Sequence, residues 1–157
     1  MTEPVNFADC YVLTNQRTLS FILSFLNTFL PKRSTYALEF EVPQYAESPD
    51  IVYASAEELI AYLEKHPHEV HAIYWENKEE SQLRAAMCLF TSDGQVIMGL
   101  TTITHFPDTT VEKHYLKQLE AFCHSNIGLI EYDTPAAKDS AEFLLRVEKQ
   151  AYNSNAQ

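Results

Sequence analysis

The sequence predicts an α+β fold: a mixed or mainly antiparallel sheet with a central β-hairpin at about residues 83–101, packed by about four helices. Three observations carry that expectation. Leu83 to Thr91 is apolar on both faces over most of its length, turns at Ser92-Asp93-Gly94, and returns through Val96, Ile97 and Met98. Glycine after aspartate accepts the positive φ that a tight hairpin needs. Four other segments repeat apolar residues every three or four positions, the period of a helix face. Finally, neither a Gly-rich strand-to-helix turn nor a regular alternation of long βαβ units is present, which disfavours a doubly wound sheet. One domain spanning 1–157, with short frayed termini, is the expected organisation, because a chain of this length closes around one core.

Taken in order, Phe7 to Leu13 reads as a first strand, and Asn15-Gln16-Arg17-Thr18 supplies polar residues to cap the helix after it. Leu19, Ile22, Leu23, Leu26, Phe29 and Leu30 line one face of that helix, and Phe21 and Phe25 widen it. Each large side chain so buried contributes roughly 1.5–3 kcal/mol before entropy, so this helix should anchor the core. Pro31 stops it. Tyr36 to Val42 alternates, which predicts a strand with Tyr36, Leu38, Phe40 and Val42 on a dry face and Ala37, Glu39 and Glu41 on a wet one. Ile51-Val52-Tyr53 suggests a short strand. Ser55 with Glu58 has the capping-box spacing and opens a helix through Leu59, Ile60, Tyr62 and Leu63, closed at His66-Pro67.

Val70 to Trp75 is a further strand before the central hairpin. Asp108 can cap a helix over 109–124, and Asn126-Ile127-Gly128 resembles a left-handed stop. Leu129 to Tyr132 reads as a last short strand. Thr134-Pro135 then suggests the start of a final helix running past Ala137, Ala141, Leu144, Leu145 and Glu148, with a tail from Asn153.

Net charge is -11, and the excess is local. Residues 39–80 hold eleven acids against Lys65 and Lys78, a net of -9. Such a field repels phosphate backbones and attracts a basic protein. Nucleic acid is therefore not an expected partner, and no apolar run approaches the roughly 20 residues of a membrane span. The N-terminus shows no basic stretch followed by an apolar one, and three widely spaced cysteines, Cys10, Cys88 and Cys123, make a poor disulfide framework. A cytoplasmic location is the expectation.

Several residues invite a chemical reading. Tyr74-Trp75-Glu76-Asn77-Lys78-Glu79-Glu80 runs from aromatic residues into an acidic loop. Tyrosine and tryptophan bury large rigid area at small entropic cost and often dominate interfaces. With Glu39 and Glu41, the residues Tyr74, Trp75, Glu76, Glu79 and Glu80 form the expected partner-binding set. His66, His68 and His71 with Glu69 are dense in metal ligands, yet Pro67 prevents two histidines from sharing a helix face, so a plain loop is expected. Asp93 is explained by its turn, and Gly99 suggests a bulge or a close backbone approach. No cofactor, catalytic residue or metal ligand is assigned.

The expected function is thus a small non-enzymatic binding or inhibitory protein that engages a basic protein, an immunity-type toxin inhibitor being one form of it. A hydrolase or other small-molecule enzyme assembled from His105, Asp108, Cys123 and His124 is one alternative. A structural subunit of a homo-oligomer, a homodimer included, is the other.

Overall fold

The structure, a computed structural model, describes residues 6–155 of the chain, with side chains through 151. The terminal residues 1–5 and 156–157, where fraying was expected, lie outside the described residues. In chain order the elements are β1 (Asn6–Thr14), α1 (Leu19–Phe29), β2 (Arg33–Thr35), β3 (Phe40–Val42), β4 (Ile51–Tyr53), α2 (Ala56–Lys65), β5 (His71–Asn77), β6 (Leu83–Phe90), β7 (Val96–Thr104), α3 (Thr110–Cys123), β8 (Gly128–Glu131) and α4 (Ser140–Asn155). The fold is α+β. Six strands form one antiparallel sheet in the order β2-β5-β6-β7-β1-β8, and β3 pairs with β4 in a separate two-stranded ribbon.

The hairpin of β6 and β7 lies inside the sheet, with Phe90 opposite Val96 and Gly94 at φ 84 in its turn. Both faces of β6 are covered because helices occupy both sides of the sheet. Ile22, Phe25, Leu26, Leu59, Leu63, Leu119 and Cys123 of α1, α2 and α3 pack with Val12, Ile73, Trp75, Cys88 and Leu100 on one side. Phe122 of α3 meets the rings of Phe21 and Phe29 of α1 at 5.1 and 5.8 Å, an aromatic seam between the two helices. On the other side α4 covers the sheet through Phe143 and Val147, joined by Ala136 and Ala137 of the segment before it, against Tyr11, Leu13, Met87, Ile97 and Leu129. Beyond α4 the sheet face lies open at Phe7 and Tyr74.

Gly99 makes that second core possible. It sits between Tyr11 and Met87 on the neighbouring strands, whose side chains close over it. A Cβ at position 99 would lie 2.9 Å from both Met87 Cε and Tyr11 Cε1. The glycine marks close approach rather than a bulge; the irregularity in the hairpin is at Leu83/Ala85.

Four local expectations are corrected. The chain leaves the sheet at Tyr36, so Tyr36 and Leu38 are exposed and only Phe40 to Val42 is strand; a period of two also suits an extended loop. The left-handed stop after α3 is His124 at φ 49, while Gly128 lies within β8. α4 begins at Ser140, not near Pro135, because Asp139 accepts from the Glu142 N–H and supplies the cap; it runs through Asn155, past the suggested tail. Its inner face is Phe143 and Val147, which leaves Leu144 and Leu145 exposed. No helix among the described residues is long and apolar enough to cross a membrane.

Candidate protein-binding surface

β2 is only three residues long, and it brings the chain to the edge of β5, where Ser34 lies opposite Glu76 and Thr35 opposite Trp75. One residue later the Tyr36 N–H donates to Tyr74 O at 3.1 Å, and the chain turns away. It comes back as the loop after β3. There the Gln44 side chain bonds both backbone groups of Ala72, accepting from its N–H at 2.9 Å and donating to its carbonyl at 3.0 Å. Tyr45 adopts the left-handed region at φ 65, and its N–H donates to Glu41 Oε1 at 3.0 Å. Beneath, the ring of buried His71 reaches the Glu41 carbonyl through Nε2 at 2.9 Å and the Ala72 carbonyl through Nδ1 at 3.2 Å.

These anchors assemble three tyrosines: Tyr36 is 61% exposed, Tyr45 81% and Tyr74 41%. They line a hollow of about 190 Å³ together with Glu39 and Glu41. Tyr36 and Tyr74 also form the shared wall of a second cleft, about 410 Å³, that runs over Phe7 and Met87 to Glu76 and Arg84. Burial first, then nearby Tyr45 and Asp9, pushes the Tyr74 hydroxyl above its ordinary pKa. Among the described residues neither Glu39 nor Glu41 forms an ion pair, whereas Glu76 meets Lys78 at 3.3 Å.

The structure thus brings Glu39, Glu41, Tyr74 and Glu76 to one contiguous surface. It separates Trp75 from them. At 2% exposure that ring belongs to the three-helix core, because alternation puts Trp75 inward as it puts Tyr74 outward. Glu79 and Glu80 are exposed in the β5–β6 turn and line neither hollow. The acidic stretch 39–80 is not one face, since Glu57, Glu58 and Glu64 sit on α2, across the sheet from the tyrosines. Glu58 is engaged at the start of α2, its N–H donating to the Ser55 hydroxyl at 3.2 Å and its carboxylate accepting from that hydroxyl at 3.3 Å, and Glu64 caps the Leu19 N–H at 2.9 Å. Sequence reasoning missed Tyr36, Tyr45 and Phe7. The available signal was a tyrosine at the centre of a polar loop between Pro43 and Pro49, a place where an aromatic residue has no core to fill.

The scattered groups of the enzymatic alternative do not converge. His105 and Asp108 precede α3, and Cys123 and His124 end it, about 20 Å away at 1.5 Å per residue. Asp108 accepts from the N–H and hydroxyl of Thr110. Cys123 and His124 both border an open depression of about 740 Å³, but the thiol is buried and burial pushes its pKa up to about 12. No hydrogen bond joins it to His124 among the described residues. The three clustered histidines each turn to a different carbonyl: His66 to Tyr62, His68 to Ser92 and His71 to Glu41. Comparison with protein-family models, curated proteins and solved structures finds no match.

Proposed function

We propose that this protein is a non-enzymatic binding protein whose aromatic and acidic surface at the β2–β5 edge engages a basic protein. The observation that carries this reading is the side-by-side exposure of Tyr36, Tyr45 and Tyr74 beside Glu39 and Glu41, which form no ion pair among the described residues. The exposed parts of large aromatic side chains add little to the monomer, while at an interface such residues often dominate the binding energy. Complementary charge then speeds encounter and rejects acidic competitors. Inhibition of a basic toxin, as an immunity-type protein, is the form of this function that the charge favours. The exposed Leu144 and Leu145 on α4 support a second reading, self-association through that helix.

Capture from the native cell at low salt, repeated with Tyr36→Ala and Glu76→Lys proteins, tests the proposal. The expected result is a stoichiometric basic protein held by the wild type, released as salt rises, and lost in both variants. Retention of no basic protein, or equal retention by the variants, would sink it.

A further inference from the structure

Building on that reading, we infer that the hollow between Tyr36, Tyr45 and Tyr74 is a receptor for one arginine side chain of the protein partner. Its size decides the class of occupant. At about 190 Å³ it falls below the roughly 300–1,000 Å³ typical of small-molecule and cofactor pockets, and it suits a single side chain. Its chemistry decides the charge. Tyrosine ring faces attract a cation, and two carboxylates without a cationic partner among the described residues border the same space. The neighbouring cleft cannot take that role, because Arg84 already stands at its wall; with Phe7 and Met87 it offers apolar contact to residues flanking the arginine.

Guanidinium fits better than ammonium. It is planar, stacks on aromatic faces, and bonds a carboxylate through two parallel N–H groups, whereas ammonium is a compact and strongly hydrated point charge. The receptor is also built before the ligand arrives. Gln44 pins the loop to Ala72 through two hydrogen bonds, the Tyr45 N–H holds the Glu41 carboxylate, and Tyr36 is tied to the Tyr74 carbonyl. Little ordering entropy then opposes binding.

The test is an NMR titration of the full chain at low salt with a blocked Gly-Arg-Gly peptide and its lysine and citrulline counterparts. Saturable shifts at Tyr36, Gln44, Tyr45 and Tyr74 are expected with the arginine peptide. They should be several-fold weaker with lysine and absent with citrulline. Tyr45→Asn, which suits the left-handed backbone, should weaken arginine binding roughly fivefold to tenfold. Shifts of equal strength from lysine or citrulline, or shifts confined to other parts of the molecule, overturn the assignment. Capture separates the two readings. A Tyr45→Asn protein that holds the basic partner as well as wild type, while Glu76→Lys loses it, removes the arginine receptor and keeps the binding surface. Full capture by both variants removes the surface as well.

Discussion

Among the described residues, Arg17 joins more backbone carbonyls than any other side chain. Its guanidinium is buried and donates to the carbonyls of Leu63, Thr91, Gln95, His66 and Glu69 at 2.7–3.3 Å, and it lies 5.2 Å from the centre of the Phe90 ring. It thereby fastens the end of α2 and the loop after it to the turn of the central hairpin. An Arg17→Gln protein loses the fork and leaves several inward carbonyls unpaired, each costing roughly 1–3 kcal/mol where water cannot enter. A loss of about 3 kcal/mol is expected, read as a lower urea midpoint with an unchanged slope; a loss under about 1 kcal/mol would show that water replaces the fork freely. This role was illegible in the sequence. Arg17 stood among polar residues before a helix, and the cap itself proves to be Thr18, which accepts from the Phe21 N–H. A side chain that serves five distant carbonyls leaves no local pattern.

At the scale of elements, α4 and the strands beneath it depend on one missing side chain. Gly99→Ala would push a methyl group against Met87 and Tyr11 at 2.9 Å, and overpacking of this kind costs about 1–3 kcal/mol. Shortening Met87 to Ala gives the new methyl group room, so the double variant should lose less than the sum of the two single ones. Simple additivity in urea unfolding would contradict this close packing. Elements with a strong internal period were legible: α1 from its apolar stripe, α2 from its capping box, the central hairpin from Asp93-Gly94. The segment 36–42 was not, because alternation records only which residues can share a face. Whether that face is dry depends on what packs over it, and Tyr36 and Leu38 lie exposed past the end of β2. For the same reason the proposed binding surface was half legible. Glu39, Glu41, Tyr74 and Glu76 belong to the set expected from the sequence and lie together in the fold, while the loop that carries Tyr45 back beside them is a tertiary event.

Over the whole molecule, ionisable groups are spread through both cores, and they set a common alkaline limit. Cys10 and Cys123 are pushed up to about 12, the first by burial and then by the charges of Glu112 and Asp9, the second by burial alone. Cys88 lies well above its ordinary value, and Tyr11 and Tyr132 are raised as well, Tyr132 by burial and then by its bond to Glu112 at 2.7 Å. The sign follows from which state loses protons first. Above about pH 9 the unfolded chain releases its thiol protons and the folded one keeps them, so the unfolded state binds fewer protons and stability falls. The slope approaches about 1.4 kcal/mol per pH unit for each thiol. Urea midpoints should therefore hold steady up to about pH 9 and drop between 9 and 12. Rapid thiol labelling of the folded protein at neutral pH would contradict it.

Gln44 satisfies the outward backbone groups of Ala72 on β5, and Gln150 does the same for Ile130 on β8, accepting at 2.9 Å and donating at 2.7 Å. Each amide imitates one rung of a strand ladder at one margin of the six-stranded sheet. An extended segment from another molecule finds those two rungs already taken, which disfavours main-chain pairing at Ala72 and at Ile130. Recognition by strand addition reads backbone and tolerates many sequences. Under the proposed function a partner is then chosen through its side chains, and discrimination rests on ring faces and carboxylates rather than on peptide groups common to every protein.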